Sequence, residues 1–429
     1  MKPIVQELIE FIDSSPTPYH AAASSAELLG KAGFQELDEA RPFDVTPGQG
    51  YYLIRNDASL VAFRAPGGAP ERTRIVGAHT DSPNLRLKPL PEFTRHGYTQ
   101  LGVEVYGGAL YNSWLDRDLS VAGRVFVRGD SGTLRRELVR HDSPLARIPQ
   151  LAIHLDRGVN KDGVKLNAQK HLAPMIGLAE SDGKDTTRRL MERLARDASF
   201  NADDVTGFDL CLYPTEPSSV SGLDGEFLHA PRLDNLAMCH AALRALTGAT
   251  PEPGTLAAVA LFDNEEIGSD TAQGAGSPLL GDVLERAWHA LGQDREAYLR
   301  GRASSLFLSA DMAHAIHPNY PDRHDDNHRP RINAGPVIKY NANQRYATDG
   351  SSSALLEEIC RARDIPYQKF VNRSDLACGS TIGPITASNL GIAVVDAGNA
   401  MLSMHSAREM AGTQDPEHME RLMGAFLAG

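Results

Sequence analysis

The chain opens on a helical rhythm. In MKPIVQELIEFID the apolar residues Val5, Leu8, Ile9 and Ile12 fall on one face, as an amphipathic helix requires. A second helix is predicted in SSPTPYHAAASSAELLGKAGF, where Thr17 can cap, Pro18 suits the first position and Gly33 marks the stop. TRIVGAHTD breaks the rhythm. It is a short apolar run ending in polar residues, and it predicts a buried strand that hands its last residues to a loop. From about Pro89 to Ala230 short β-rich runs (YTQLGVEVYGG, VAGRVFVRG, TLRRELVRH) alternate with Gly, Asp and Ser turns, and MERLARDASFNADDVTGFDLCLYPTEP adds a helix and a strand. Beyond Ala230 strands and helices alternate. PRLDNLAMCHAALRALTG and ALLEEICRARD read as helices; TLAAVALFDNEE, SSLFLSADMAH and GIAVVDAGN read as strands. That alternation predicts a sheet covered by helices. The expected fold is α/β, a helix-flanked mixed sheet built from residues 1–90 and 231–429, with an inserted mainly β domain over residues 91–230.

Composition narrows the partners. A length of 429 residues suits two or three domains and a sizeable core. The formal charge of −12 disfavours nucleic acid, whose binding needs a basic footprint, and disfavours anionic membrane surfaces too. An acidic chain that recognises an acidic ligand needs a local cation. Cys211, Cys239, Cys360 and Cys378 lie far apart, so zinc-finger and dithiol motifs are absent and reduced thiols are expected. The N-terminus lacks the apolar core and cleavage site of a signal peptide, and no apolar run reaches the roughly 18 residues that span a bilayer. A cytoplasmic protein without nucleic-acid or membrane partners is the expectation.

Histidine and carboxylates recur where the apolar strands end: His79 and Asp81 in AHTDSP, Glu265 and Glu266 in LFDNEEIGS, Asp311 in LSADMAH. Asp234 opens the helix of RLDNLA, and His405 lies in LSMHSARE. Open α/β sheets bind ligands outside the carboxyl ends of their strands, so these residues can converge on one crevice. Imidazole and carboxylate suit zinc, and two histidines with three carboxylates make two half-shells sharing one bridge. In the Glu265-Glu266 doublet one carboxylate can ligate while its neighbour stays free as a base. Asp81 can hydrogen-bond the His79 ring. Each residue also has a plainer use: a polar loop end, a solvated pair, or a helix cap at Asp234. Residue types alone leave both readings open.

The sequence words are more specific. FIDSSPTPYHA, GAHTDSPNLRLKP, IPQLAIHLDR, PRLDNLA, FDNEEIGS, SADMAHAIHPNY, GPVIKYNANQRYAT and LSMHSARE resemble, in this order, the aspartyl aminopeptidase family of dinuclear zinc exopeptidases, from about Phe11 to Glu409. The resemblance implies His79 and His405 as terminal ligands of two Zn2+ ions (Co2+ or Mn2+ replacing one of them), Asp234 as the bridge, and Glu266 and Asp311 completing the shells. It implies Glu265 as general base, Asp81 as the residue orienting His79, and Lys339 as the cation near an acidic substrate side chain. His154 would reach the active site of a neighbouring subunit, where it would bind substrate and donate to the oxyanion. The substrates implied are peptides with a free acidic N-terminus, Asp and also Glu. The assembly implied is a tetrahedral dodecamer of dimers, with residues 91–230 as the dimerisation domain. One departure is Gln150, where many relatives carry a second histidine, so nothing attributed to that histidine transfers.

The cluster His324, Asp325, Asp326 and His328 imitates a metal site, but five ligands already fill two shells; a structural or interface role is expected there, and loop packing for His314 and His317. Three rivals stand beside the acidic aminopeptidase: a deacylase or carboxypeptidase on acylated amino acids, an aminopeptidase of apolar preference, and an assembling scaffold without catalysis.

Overall fold

The computed structural model of the chain describes residues 2–129, 132–179, 188–198 and 200–429. Two compact units emerge. The first comprises Met1–Asp81, Ser218–Met404 and Glu409–Gly429; the second comprises Ser82–Pro217 and His405–Arg408.

The first unit is α/β. Its nine-stranded mixed sheet runs in the order Gln35–Glu36, Gly50–Arg55, Ser59–Arg64, Thr255–Phe262, Arg72–His79, Leu306–Ala310, Ala393–Gly398, Val337–Tyr340, Gln368–Val371. The central strands are apolar toward both faces because helices cover both. Leu60, Val76, Val259 and Leu308 pack with the helices Pro3–Ser14, Pro18–Lys31, Leu233–Gly248 and Asp415–Ala428. Val61, Ile75, Ala258 and Phe307 face Leu279–Ala290, Arg295–Ala303 and Ile382–Leu390. Gly77 is required by this packing: a Cβ there would lie 2.0 Å from the Phe307 ring on the adjacent strand. A five-stranded sheet (Ser219–Ser221, Phe227–Ala230, Glu409–Gly412, Ala400–Leu402, Ala313–His314) completes the unit.

The first helix buries Ile4, Val5, Leu8, Phe11 and Ile12. Ile9 is only half-buried, because it sits about 100° round the helix from Leu8, at the edge of the apolar stripe. Thr17 caps the second helix by accepting from the His20 amide, and Gly33 ends the turn with φ +82°.

The second unit is mainly β. Its six-stranded antiparallel sheet runs Leu134–Arg140, Leu119–Arg128, Val205–Pro214, Asn84–Arg95, Tyr98–Tyr106, Met175–Leu178. Leu85, Leu101, Trp114, Val121, Val125 and Leu212 form its core with Leu190 and Leu194 of the helix Arg189–Ala198. Among the described residues no helix is long and apolar enough to cross a membrane.

Candidate metal centre

Parallel pairing decides where the polar residues collect. Arg72–His79 lies between Thr255–Phe262 and Leu306–Ala310, parallel to both, with His79 opposite Phe262 and Gly77 opposite Ser309. The carboxyl ends of all three strands therefore open onto one crevice. His79 ends its strand, Glu265 and Glu266 form a single 3-10 turn just after Phe262, and Asp311 directly follows Ala310. Asp234 enters from the first turn of Leu233–Gly248, where its φ/ψ of −81°/101° leaves the helical region. The neighbouring Asn235 fastens that turn by donating to the Ala310 carbonyl at 2.8 Å.

Ligand atoms of His79, Asp234 and Asp311 lie within 4.8 Å of one another, and so do those of His79, Glu265 and Glu266. His79 Nε2 is 3.5 Å from Asp234 Oδ1 and 3.9 Å from Glu265 Oε2. Asp81 holds more than the imidazole. His79 Nδ1 is 3.0 Å from its carbonyl and 3.4 Å from its carboxylate, while its two carboxylate oxygens accept the Glu265 and Glu266 amides, each at 3.1 Å. One buried residue thus sets both the ring, through its carbonyl and carboxylate, and the doublet, through its carboxylate.

The carboxylates Glu265 and Asp311 and the His79 ring are all held above their ordinary values, for different reasons. Glu265 is held well above the ordinary carboxylate range by burial, with the charges of Asp311, Glu266 and Asp81 adding to the shift against His79's opposing pull. Asp311 is pushed up to about 6 by burial, against the pull of Lys339. Burial works against a charged His79, yet hydrogen bonds to Asp234 and Asp81 and the nearby Glu265 charge lift it well above its usual value. Carboxylates that resist ionisation and an imidazole that holds its proton describe a pocket short of positive charge. One imidazole and four carboxylates are oxygen and nitrogen donors of the kind zinc takes, so the residues fit a divalent cation. Cys239 does not compete as a ligand: burial pushes its thiol up to about 12, and it donates to the His79 carbonyl at 3.0 Å.

Lys339 belongs to the same unit. It is 2% exposed, its Nζ donates to the Met312 carbonyl at 3.1 Å, and it lies 3.7 Å from Asp311 Oδ2. His405 lies in the second unit, with φ +67° and its Nδ1 3.2 Å from the Gly108 carbonyl. His154 is also there, exposed beside exposed Leu151, Ile153 and Leu155. In the first unit's histidine-rich loop, His328 pairs with Asp325 at 2.6 Å and His324 Nε2 accepts the His317 amide at 3.2 Å. Among the described residues that loop forms no metal-holding group.

Sequence reasoning missed two contacts. Glu409, buried, accepts the Asp234 amide at 3.1 Å, and the Tyr346 ring centroid lies 5.0 Å from Lys339 Nζ. Both residues stand inside recognisable words, but Glu409 lies 175 positions from Asp234, beyond the reach of any periodicity, and Tyr346 is joined to Lys339 by loop, where neither a helical nor a strand period relates the two.

The Aminopeptidase I zinc metalloprotease (M18) family matches residues 11–427. The chain belongs to the M18 family. It is a metallo-aminopeptidase of the α/β fold with a mainly β domain. It is 47% identical over 425 residues to a probable M18 family aminopeptidase 2 of Stutzerimonas stutzeri, covering 98% of this chain and 97% of that protein. A protein of the same description in Streptomyces coelicolor is 48% identical over 428 residues, covering 98% and 96%. Among solved structures, Ape4 in its complex with Nbr1 superposes with a TM-score of 0.96 at 40% identity, covering 99% of this M18 chain and 85% of that one. The S. cerevisiae mApe1 dodecamer gives 0.87 at 32% identity, covering 99% and 96%.

Proposed function

We propose that this M18 aminopeptidase releases acidic residues, aspartate and also glutamate, from the free N-terminus of peptides. The observation that carries the acidic preference is Lys339, an ammonium 2% exposed and 3.7 Å from Asp311 in a chain of net charge −12. Lysine is almost never fully buried unless paired, and its ammonium can hold a substrate carboxylate as a point charge.

The family resemblance supports the rest of the reading. His79, Asp234, Glu266, Asp311 and His405 would hold two zinc ions, cobalt or manganese being able to replace one. When bound, the two ions would polarise the scissile carbonyl and make the attacking water more acidic. Glu265 takes the proton from that water and returns it to the leaving amine. Asp81, by accepting both amides of the doublet, fixes the turn that carries Glu265 and Glu266, and Glu265 is the carboxylate assigned to this transfer. The partner subunit's His154 binds substrate and donates to the developing oxyanion; its exposed apolar neighbours suit contact with a second copy. The assembly proposed is a tetrahedral dodecamer of dimers in the cytoplasm. It is supported by the dodecamer of S. cerevisiae mApe1 and, for the compartment, by four cysteines spaced far apart in the sequence.

The test compares initial rates on aspartyl, glutamyl, leucyl and N-acetyl-aspartyl amides, before and after chelation and zinc restoration. Zinc-restored cleavage of the free acidic substrates, with the acetylated one refused, is the expected result. A leucyl preference would overturn the role of Lys339. Cleavage of the acetylated substrate would overturn the requirement for a free amine.

A further inference from the structure

The large sheet also holds a buried carboxylate that the proposed chemistry does not use. Asp396 is 0% exposed within the large sheet, opposite Ser309 on one side and next to Ala397, which faces Ile338, on the other. It ties three segments together. One carboxylate oxygen accepts the Ala347 amide at 2.6 Å, the other accepts the Thr381 hydroxyl at 2.6 Å, and its own amide donates to Thr348 Oγ1 at 2.9 Å. Thr381 in turn caps the helix Ile382–Leu390 by accepting the Gly383 amide at 3.2 Å. Gly383 makes room for this arrangement, since a Cβ there would fall 2.5 Å from Asp396 Oδ2.

Two of those three ties land on the residues that immediately follow Tyr346. That tyrosine is 5% exposed, and its ring lies over the Lys339 ammonium. A cation against an aromatic face gains more when both are out of water, so the position of the ring matters to the charge beneath it. Tyr346 has no helix or strand of its own to fix it; the segment from Asn341 to Asp349 is loop. Its placement depends on where Ala347 and Thr348 are fastened. A buried carboxylate is a costly fastener when stability is the only end served, because apolar packing does that job as well.

We infer that Asp396 is a positioning residue for recognition of the substrate's first side chain, acting by fastening the Tyr346–Thr348 segment over Lys339. The inference deepens the acidic-preference reading of Lys339 and rests on it.

The experiment measures kcat and KM on aspartyl and leucyl amides for the zinc-loaded wild type, Asp396→Ala, Asp396→Asn, Lys339→Ala and the double Ala variant. Asp396→Ala is expected to lower the aspartyl-to-leucyl ratio of kcat/KM about 10- to 100-fold, mainly through KM for the aspartyl substrate. Asp396→Asn keeps an oxygen for the Ala347 amide and an NH2 for Thr381 Oγ1, so it should restore most of the ratio. The double variant should fall no further than Lys339→Ala, since Asp396 acts through that site. If Asp396→Ala is too unstable to assay, Thr348→Val removes the separate bond from the Asp396 amide, which fastens the same segment, without changing shape, and should lower the same ratio. An equal loss on both substrates, or an additive double variant, would overturn the inference, as would an unchanged ratio in Thr348→Val. The two readings fail separately. A ratio untouched by Lys339→Ala sinks the acidic pocket itself, whereas a ratio lowered by Lys339→Ala but not by Asp396→Ala sinks only the role of Asp396.

Discussion

Replacing Asp81 with asparagine should loosen the metal centre from behind without removing any proposed ligand. The carboxylate is 0% exposed and spreads its two oxygens over two backbone donors, the amides of Glu265 and Glu266, while facing His79 Nδ1. Asparagine brings one carbonyl oxygen and one NH2. Whichever way it turns, the NH2 meets a backbone N–H, so at least one charge-assisted bond is lost. Such a bond contributes about 1.5–3 kcal/mol, and leaving its buried donor unpaired costs about 1–3 kcal/mol. The two figures overlap, so a local penalty of about 3 kcal/mol is the working value. The structure can avoid it only by tilting the Glu265–Ile267 turn, which moves the doublet. Loss of such supporting contacts typically costs about 10- to 100-fold in metal affinity or activity. The assay is zinc competition against a chromophoric chelator, followed by kcat/KM at saturating zinc. Weaker zinc binding by that factor is expected, with turnover still reduced once zinc is saturating because Glu265 is displaced too. Zinc affinity and kcat/KM both within twofold of wild type would refute the reasoning, since the 3-10 turn would then hold the doublet by itself.

Two further outcomes follow from single groups. Glu265→Gln should abolish nearly all turnover while zinc content stays unchanged; normal hydrolysis by the variant would remove Glu265 as the base. In the second unit, Glu92 is pushed up to about 6 by burial, although its carboxylate accepts the Leu190 amide at 3.1 Å. Its folded pKa lies above its unfolded one, so the folded state holds the extra proton between about pH 4.5 and 6. Stability therefore falls as pH rises through that window, and the ionised group burdens the fold above it. Glu92→Gln keeps an acceptor for Leu190 and should raise stability at pH 7.5 by about 1–2 kcal/mol, with the gain vanishing near pH 4. A denaturant titration at both pH values checks this; an equal gain at both would refute burial of charge as the cause.

Much of the fold was legible because it rests on local rules. The caps at Thr17 and Gly33, the buried run of TRIVGAHTD and the strand-helix alternation after Ala230 each depend on neighbours within one or two turns, and each appears where expected. Strand order was not legible. Thr255–Phe262 enters the sheet between Ser59–Arg64 and Arg72–His79, pairing antiparallel with one and parallel with the other across nearly two hundred residues. No periodicity encodes that choice. Only the pairing on the other side of Arg72–His79 leaves a mark in the sequence, Gly77, whose missing side chain makes room for Phe307 of Leu306–Ala310.

The candidate site divides along the same line. Residues that end a strand could be named from sequence because the strand itself carries them to the crevice: His79, Glu265, Glu266 and Asp311 need only their own segment to be read correctly. Residues that act by receiving a hydrogen bond from elsewhere could not be named for that role. Asp81 was legible as the partner of His79, two positions away, but not as the acceptor for amides 184 and 185 positions on. Asp396 stands in VVDAGN as an unexplained charge inside an apolar run, which is how such a residue looks when its partners lie on a loop and a helix cap. A carboxylate in a run that otherwise reads as buried strand has to be matched by donors, and Asp396 finds them on the loop that carries Tyr346 and at a helix cap. Polar exceptions within apolar runs, more than the motif words themselves, therefore mark the supports of a centre this rich in buried carboxylates.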